Sequence, residues 1–192
     1  MNIASPLIAL VGVVVGAVLS YAFAVLGESR RERWALNREW RERRLQTYGA
    51  YVADVKRMRS IAQRIGADVG LDDQAPRLRR EDGLDQLAEA NLARGGLFEA
   101  LAMMAGRDLV EAARELNRTV WRLEWFARGL LDDADVEGWH IAAGNYYEAI
   151  NRFNHLARTE IGVTGELSPR TAEKSPREHY EQERRTRTSK AA

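Results

Sequence analysis

The chain has 192 residues, 45% hydrophobic and 30% charged, with no cysteine and a formal net charge of +1. That composition fits one modest domain with appendages. It excludes a disulfide framework, a cysteine-ligated metal, a thiol nucleophile and a lipidated cysteine, and a balance this near zero does not fit a dedicated nucleic-acid binder.

The charge is unevenly placed. Residues 28–45 carry net +3, residues 46–168 net −5, and residues 169–192 net +3. An acidic middle is therefore flanked by two basic arms.

Residues 7–26 contain no charged side chain. At about 1.5 Å per residue the run covers roughly 30 Å, the thickness of a bilayer's hydrocarbon core. It predicts a transmembrane helix, with Pro6 at a tolerated position just before it. The preceding residues lack the basic cluster of a signal peptide. Arg30, Arg31 and Arg33 follow the run, where they would meet lipid headgroups and hold the body in the cytoplasm by the positive-inside rule. Residues 1–6 are then extracytoplasmic. Gly12, Gly16, Ser20 and Ala24 recur every four residues. They place small side chains on one face, which fits either a homodimer through close helix approach or the ordinary abundance of small residues in membrane helices.

Residues 27–44 are too polar for a buried stripe and read as a charged, solvated helical stalk. Glu39 and Arg43 stand at i,i+4 in the favourable order. From Leu45 an amphipathic pattern begins at Leu45, Tyr48, Val52, Val55, Ala62 and Ile65, ending at Gly66. Residues 66–80 read as a loop. A second helix is expected from an N-cap at Asp82, with its stripe at Leu84, Leu87, Ala88, Phe98, Leu101 and Ala105. Gly95-Gly96 should bend or break it, Asn91 on its apolar face needs a partner, and Gly106 should end it.

The third helix is expected to open on a capping box at Asp108 and Glu111. Its stripe runs Leu109, Ala112, Ala113, Leu116, Val120, Leu123, Ala127 and Leu130. An acidic turn at residues 132–135 opens a fourth helix. That helix buries Trp139, Ala142, Ala143, Tyr146, Ala149, Ile150, Phe153, Ala157 and Ile161 before Gly162 stops it. The fold class is therefore all-α: a transmembrane helix continuing into a stalk, then an antiparallel bundle of about four helices over residues 45–165. Residues 166–192 read as a disordered basic tail, with Ser168-Pro169-Arg170 repeated as Ser175-Pro176-Arg177.

Chemistry-bearing motifs fail on inspection. Glu137 and His140 form one ExxH where a diiron bundle needs two. The acidic run from Asp133 has Gly144 where a calcium loop needs a bidentate glutamate. No phosphate-binding or nucleophile-elbow pattern occurs. No catalytic, metal or cofactor residue is assigned. Trp121, Trp125, Phe126, Tyr146 and Tyr147 fit either the core or an aromatic groove for a partner, with core favoured; Trp121, Trp125 and Tyr147 are the groove candidates.

The Arg30–Trp34 and Arg38–Arg44 runs, Tyr48-Gly49-Ala50-Tyr51, and the helices from Asp108 and Phe153 resemble a loose group of small, single-span membrane proteins of high-GC actinobacteria. The likeness spans residues 5–165. It implies a membrane-anchored cytoplasmic helical domain and transfers no activity or site residue. The expectation is an adaptor that meets the lipid bilayer and a protein partner but no nucleic acid; the alternative is a regulatory domain with a small ligand inside the bundle.

Overall fold

The computed structural model describes the backbone of residues 4–166 and 168–170, and the side chains from Trp34 onward except Ala35 and Leu167. The described residues form four helices, α1 (Ala4–Val69), α2 (Arg80–Met104), α3 (Arg107–Ala127) and α4 (Val136–Glu160). Among the described residues there is no strand. The chain divides into two compact units, residues 1–43 and 44–192. Residues 7–26, with Gly12, Gly16, Ser20 and Ala24, and the arginines at 30, 31 and 33 carry side chains outside the described residues, as does the tail from residue 171. Among the described residues no helix is long and apolar enough to cross a membrane.

In the first unit, Trp34 is 78% exposed, and Leu36 and Trp40 are also open to solvent. Arg43 reaches back to Glu39 at 3.4 Å. Both partners are well exposed, so this pair adds little stability.

The second unit is a four-helix bundle in which every neighbouring pair runs antiparallel. Arg57 pairs with Glu89 while Gly83 sits against Ile65. Asn91 meets Trp121 while Arg80 meets Ala127. Trp139 packs on both Phe126 and Gly66, and Glu160 reaches Gly106 and Tyr48. In each pair, residue numbers rise on one helix as they fall on the other. The core is aromatic at its centre, where Tyr51, Phe153, Phe126, Met58 and Trp139 are essentially fully buried. Aromatic burial on this scale dominates core energetics.

The expected stripes of α3 and α4 are the observed buried faces, apart from the half-buried Ala143 and from Leu130. Asp135 caps α4 by accepting from the Gly138 N–H at 2.8 Å, and carboxylates suit that end of a helix. Several helix boundaries differ from expectation. Gly66 does not end α1. It lies under the Trp139 ring, where a Cβ would stand 3.0 Å from two ring carbons. The helix ends instead at Gly70, in a left-handed conformation with φ of 88°, and the Leu71 N–H closes on the Gly66 carbonyl at 2.8 Å. This is the six-to-one bond of a Schellman ending. The same bond ends α3 at Leu130 and α4 at Val163. Leu130 thus falls beyond the helix and is 68% exposed rather than part of the stripe.

Asp82 is not the cap of α2. The helix starts earlier, and Asp82 is held in its first turn by the Arg79 guanidinium at 2.9 Å. Asp108 likewise lies inside the first turn of α3, behind Gly106 at the N-cap. The Gly106 N–H is satisfied from a distance, by the Glu160 carboxylate of α4 at 2.7 Å. Gly106 has φ of −69°, so no left-handed residue ends α2. Gly95 and Gly96 leave α2 unbroken. Leu45 and Ala88 are exposed, and Leu84 is only half-buried.

The glycines divide by what surrounds them. A Cβ at Gly83 would stand 2.6 Å from Ile65 Cδ1 and 3.0 Å from Leu78 Cδ2, whereas one at Gly95 meets nothing within 4 Å. Gly95→Ala is therefore expected to stabilise the bundle by about 0.5–1 kcal/mol through helix propensity. Gly83→Val should cost about 2 kcal/mol by overpacking. Urea denaturation of the two variants beside the parent checks both signs.

Candidate interaction surface

Helix α2 carries a single basic residue in its interior, Arg94, and that residue points into the bundle, only 5% exposed. Its guanidinium donates to Asn117 Oδ1 at 2.5 Å and to Asn91 Oδ1 at 2.8 Å. It lies over the Trp121 ring, 5.0 Å from the centroid. Trp121 Nε1 reaches the same Asn91 oxygen at 3.4 Å, so Asn91 finds the partner its position demanded. From α1, the Tyr51 hydroxyl donates toward Asn117 Oδ1 at 2.8 Å and toward the Ala113 carbonyl at 3.0 Å. Three helices thus meet around one buried cation. No carboxylate pairs directly with it. The buried Glu124 supports its charge more distantly, and is itself paired to Arg128 at 2.6 Å. Burial pushes the Arg94 pKa down, opposed by Tyr51 and Glu124, yet a guanidinium stays charged in a protein.

Turning Arg94 inward fixes what α2 shows outside. At about 100° per residue, Leu92, Gly96 and Met103 stand on the opposite side of the helix. Leu92 is 81% exposed and Met103 83%, and Ala88, Ala93 and Gly96 are exposed beside them. Asp85, Glu89 and Glu99 are also exposed on this helix. Glu89 pairs with Arg57 from α1. The outer surface of α2 is therefore an apolar strip rimmed by carboxylates, with no exposed basic side chain on the helix. Leu92 and Met103 stand about 16 Å apart along the axis, with Gly96 and Glu99 exposed between them, so they are two apolar anchors on one polar-edged face, larger than the scattered leucines of an ordinary surface.

The aromatic candidates do not form one groove. Trp121 faces α2 through Arg94 and Asn91. Tyr147 faces α1, where its hydroxyl accepts from Arg59 Nη2 at 2.5 Å; the Arg59 guanidinium also stacks on the Tyr146 and Tyr147 rings. Trp125 is 43% exposed. Phe126 and Tyr146 are core. The α2 strip was missed in sequence because Ala88 reads equally well on an inner stripe. The signal present was Leu92, which fits no inward register shared with Leu87 and Leu101.

Among the described residues, cavities lie at two of the helix seams. One of about 360 Å³ between α3 and α4 is lined by Glu115, Arg118, Arg122 and Asn145 among others. A second, of about 270 Å³, lies between α1 and α4. Among the described residues no group of three acidic or histidine side chains is placed to hold a metal. Glu137 and His140 are both exposed near the start of α4. Comparison with protein-family models, with curated proteins and with solved structures finds no match.

Asn117→Ala would leave one Arg94 N–H without its buried acceptor and the Tyr51 hydroxyl with the Ala113 carbonyl alone. The expected loss is about 3 kcal/mol. Pairing Arg94→Met with Asn117→Leu should recover most of it, because an apolar replacement strands no charge. A double-mutant cycle in urea reads both. A second expectation concerns pH. Burial raises the Tyr48 pKa, helped by its bond to Glu160, and burial raises that of Tyr51 against the opposing charge of Arg94. Tyr146 is pushed up to about 12 by burial, against Arg59. The unfolded tyrosines lose protons near their ordinary pKa of about 10. Stability should therefore be flat up to about pH 9 and fall from about pH 10 upward. Urea midpoints from pH 7 to 11 check the slope.

Proposed function

We propose that the chain is a membrane-tethered helical adaptor that binds a protein partner through the outer face of α2. The observation that carries this reading is the apolar strip of Leu92, Gly96 and Met103 with its carboxylate rim. Its chemistry suits an amphipathic helix with basic flanks, because apolar anchors would bury against the strip while the flanks meet Asp85 and Glu99. Tethering rests on sequence: the uncharged run at residues 7–26 has bilayer length, and the arginines after it support a cytoplasmic body by the positive-inside rule. The small-residue face at Gly12, Gly16, Ser20 and Ala24 adds homodimerisation to the proposal. Resemblance to single-span actinobacterial membrane proteins agrees with this arrangement. A regulatory domain with a ligand inside the bundle has less support, since the interior is filled by Tyr51, Met58, Phe126 and Phe153 and the cavities open at the seams.

The test has two arms. Ser189→Cys in the cysteine-free chain should react with a membrane-impermeant maleimide only after cell lysis. The intact chain in detergent extract should capture a partner, and Leu92→Glu with Met103→Glu should reduce capture about tenfold, the loss of one interface hot spot. These surface changes should alter stability by no more than about 0.5 kcal/mol. Recovery of only the chain itself, or equal capture by the variant, rejects the adaptor reading.

A further inference from the structure

The gap in the seam between α3 and α4 starts from a helix cap. Asp135 accepts from the Gly138 N–H at 2.8 Å, and a Cβ at Gly138 would collide with that carboxylate. The cap therefore favours glycine. One turn further along α4 stands Ala142. Thr119 of α3 lines the same space, its hydroxyl spent on the Leu116 carbonyl at 2.9 Å. Three small side chains at one level of a helix pair leave room between them, and the cavity of about 360 Å³ is that room. Small-molecule sites span about 300–1,000 Å³. Ile141, 57% exposed, adds an apolar wall.

Two cations line this cavity, and they differ. Arg118 is compensated: it pairs with Glu115 and lies 3.4 Å from Glu111. Arg114 and Arg128 likewise have glutamate partners on α3. Arg122 does not. Its neighbours three and four residues away are Arg118, Thr119, Trp125 and Phe126, so no acid lies within helical reach. The α4 wall offers none either, since Gly138, Ile141, Ala142 and Asn145 are uncharged. Among the described residues the Arg122 guanidinium and the Asn145 amide, on opposite walls, are both unspent. The lining carries a net charge of +1, from Glu115, Arg118 and Arg122. The Gly138 N–H is already taken by Asp135, so the start of α4 lends no free donor there. Its carboxylate and that of Glu115 would oppose a second negative charge on any ligand.

We propose that the α3/α4 seam binds a small organic monoanion, a carboxylate on a compact apolar body. Arg122 takes the carboxylate through paired N–H donors, the Asn145 amide donates to the same group, and the body lies on Ile141 and Ala142. One uncompensated cation matches one negative charge, which disfavours nucleotides and other polyanions. The site lies at the seam, outside the filled interior, and is independent of the α2 surface, so each can fail without the other.

Fluorine NMR with para-fluorobenzoate as the probe tests this on the full chain in neutral detergent, against a detergent-only blank. Its uncharged counterpart, para-fluorobenzamide, has the same ring. The chain should broaden the benzoate resonance and leave the benzamide sharp. Arg122→Ala should weaken benzoate binding about tenfold, the scale of a hydrogen bond to a charged group. Asn145→Ala should weaken it about threefold, the scale of a neutral hydrogen bond. Arg152→Ala, another exposed arginine that does not line the cavity, should leave binding unchanged, as should Leu92→Glu with Met103→Glu. Fluoroterephthalate, which adds a second carboxylate to the ring, should bind more weakly than the monoanion. An unbroadened benzoate resonance, equal binding of the benzamide, or equal losses in Arg122→Ala and Arg152→Ala overturns the site. Tighter binding of the dianion overturns its charge preference and with it the proposed ligand. These side chains are exposed, and retained helical circular dichroism in each variant shows that the bundle still folds.

Discussion

A guanidinium buried without a carboxylate is the constraint from which the rest of the bundle follows. Removing a cation from water costs several kcal/mol unless its donors are satisfied and its charge is met. Here the donors go to two neutral amides, Asn91 and Asn117, and the face of the guanidinium to Trp121. Because Asn117 also accepts from Tyr51, a shift of α1, α2 or α3 along its axis would break a bond to a buried group. Apolar packing alone tolerates sliding far better than directed bonds do. The network therefore sets register, and register sets surface. Arg94 turned in puts Leu92 and Met103 out, half a helix turn away. The exposure of Leu92 and Met103 on α2 is a geometric consequence of its buried charge.

Other long-range polar contacts close the ends of the bundle. Glu160 holds the Tyr48 hydroxyl at 2.7 Å with one oxygen and the Gly106 N–H with the other. One carboxylate thereby links α1 to α4 and satisfies an otherwise orphaned donor at the start of α3. At the opposite end, Arg80 donates to the Ala127 carbonyl at 2.9 Å and pairs with Asp133 at 2.6 Å. It covers the carbonyl end of α3, where a cation is favoured. In both places a side chain distant in sequence replaces the local cap, which is why the capping box at Asp108 is unused.

The parts of this fold legible in the sequence are those fixed by periodicity. The stripes of α3 and α4 read correctly because each helix has one wet face and one dry face, as Leu116 and Phe153 show. Helix α2 defeated the same reasoning. It is apolar on two faces, so no stripe stands out, and its inward face is marked by an arginine. Glycine was ambiguous for a related reason. Gly66 and Gly70 look alike in sequence, but one makes room for the Trp139 ring and the other supplies a left-handed turn. The partner of a packing glycine lies far along the chain, beyond any local rule. The bonds between Asn151 and the Arg170 backbone were equally hidden, since Asn151 is an ordinary exposed-face residue until the chain returns to it.

The size of the α2 strip bears on what kind of adaptor this would be. Two exposed anchors and a few small residues make a patch below that of a stable protein–protein interface, where roughly 800 Å² is buried on each partner. Alone, such a strip supports only weak association, because orientation and side-chain ordering must first be offset. A shared membrane changes that balance. Confinement of two chains near one surface raises their effective concentration, toward the millimolar range for short tethers. Weak contacts then become occupied without any gain in intrinsic affinity. On the adaptor reading, the partner best matched to this surface is itself bound to the same membrane, and exposure of Leu92 and Met103 carries little risk of indiscriminate capture because soluble proteins would meet the strip only at its low intrinsic affinity.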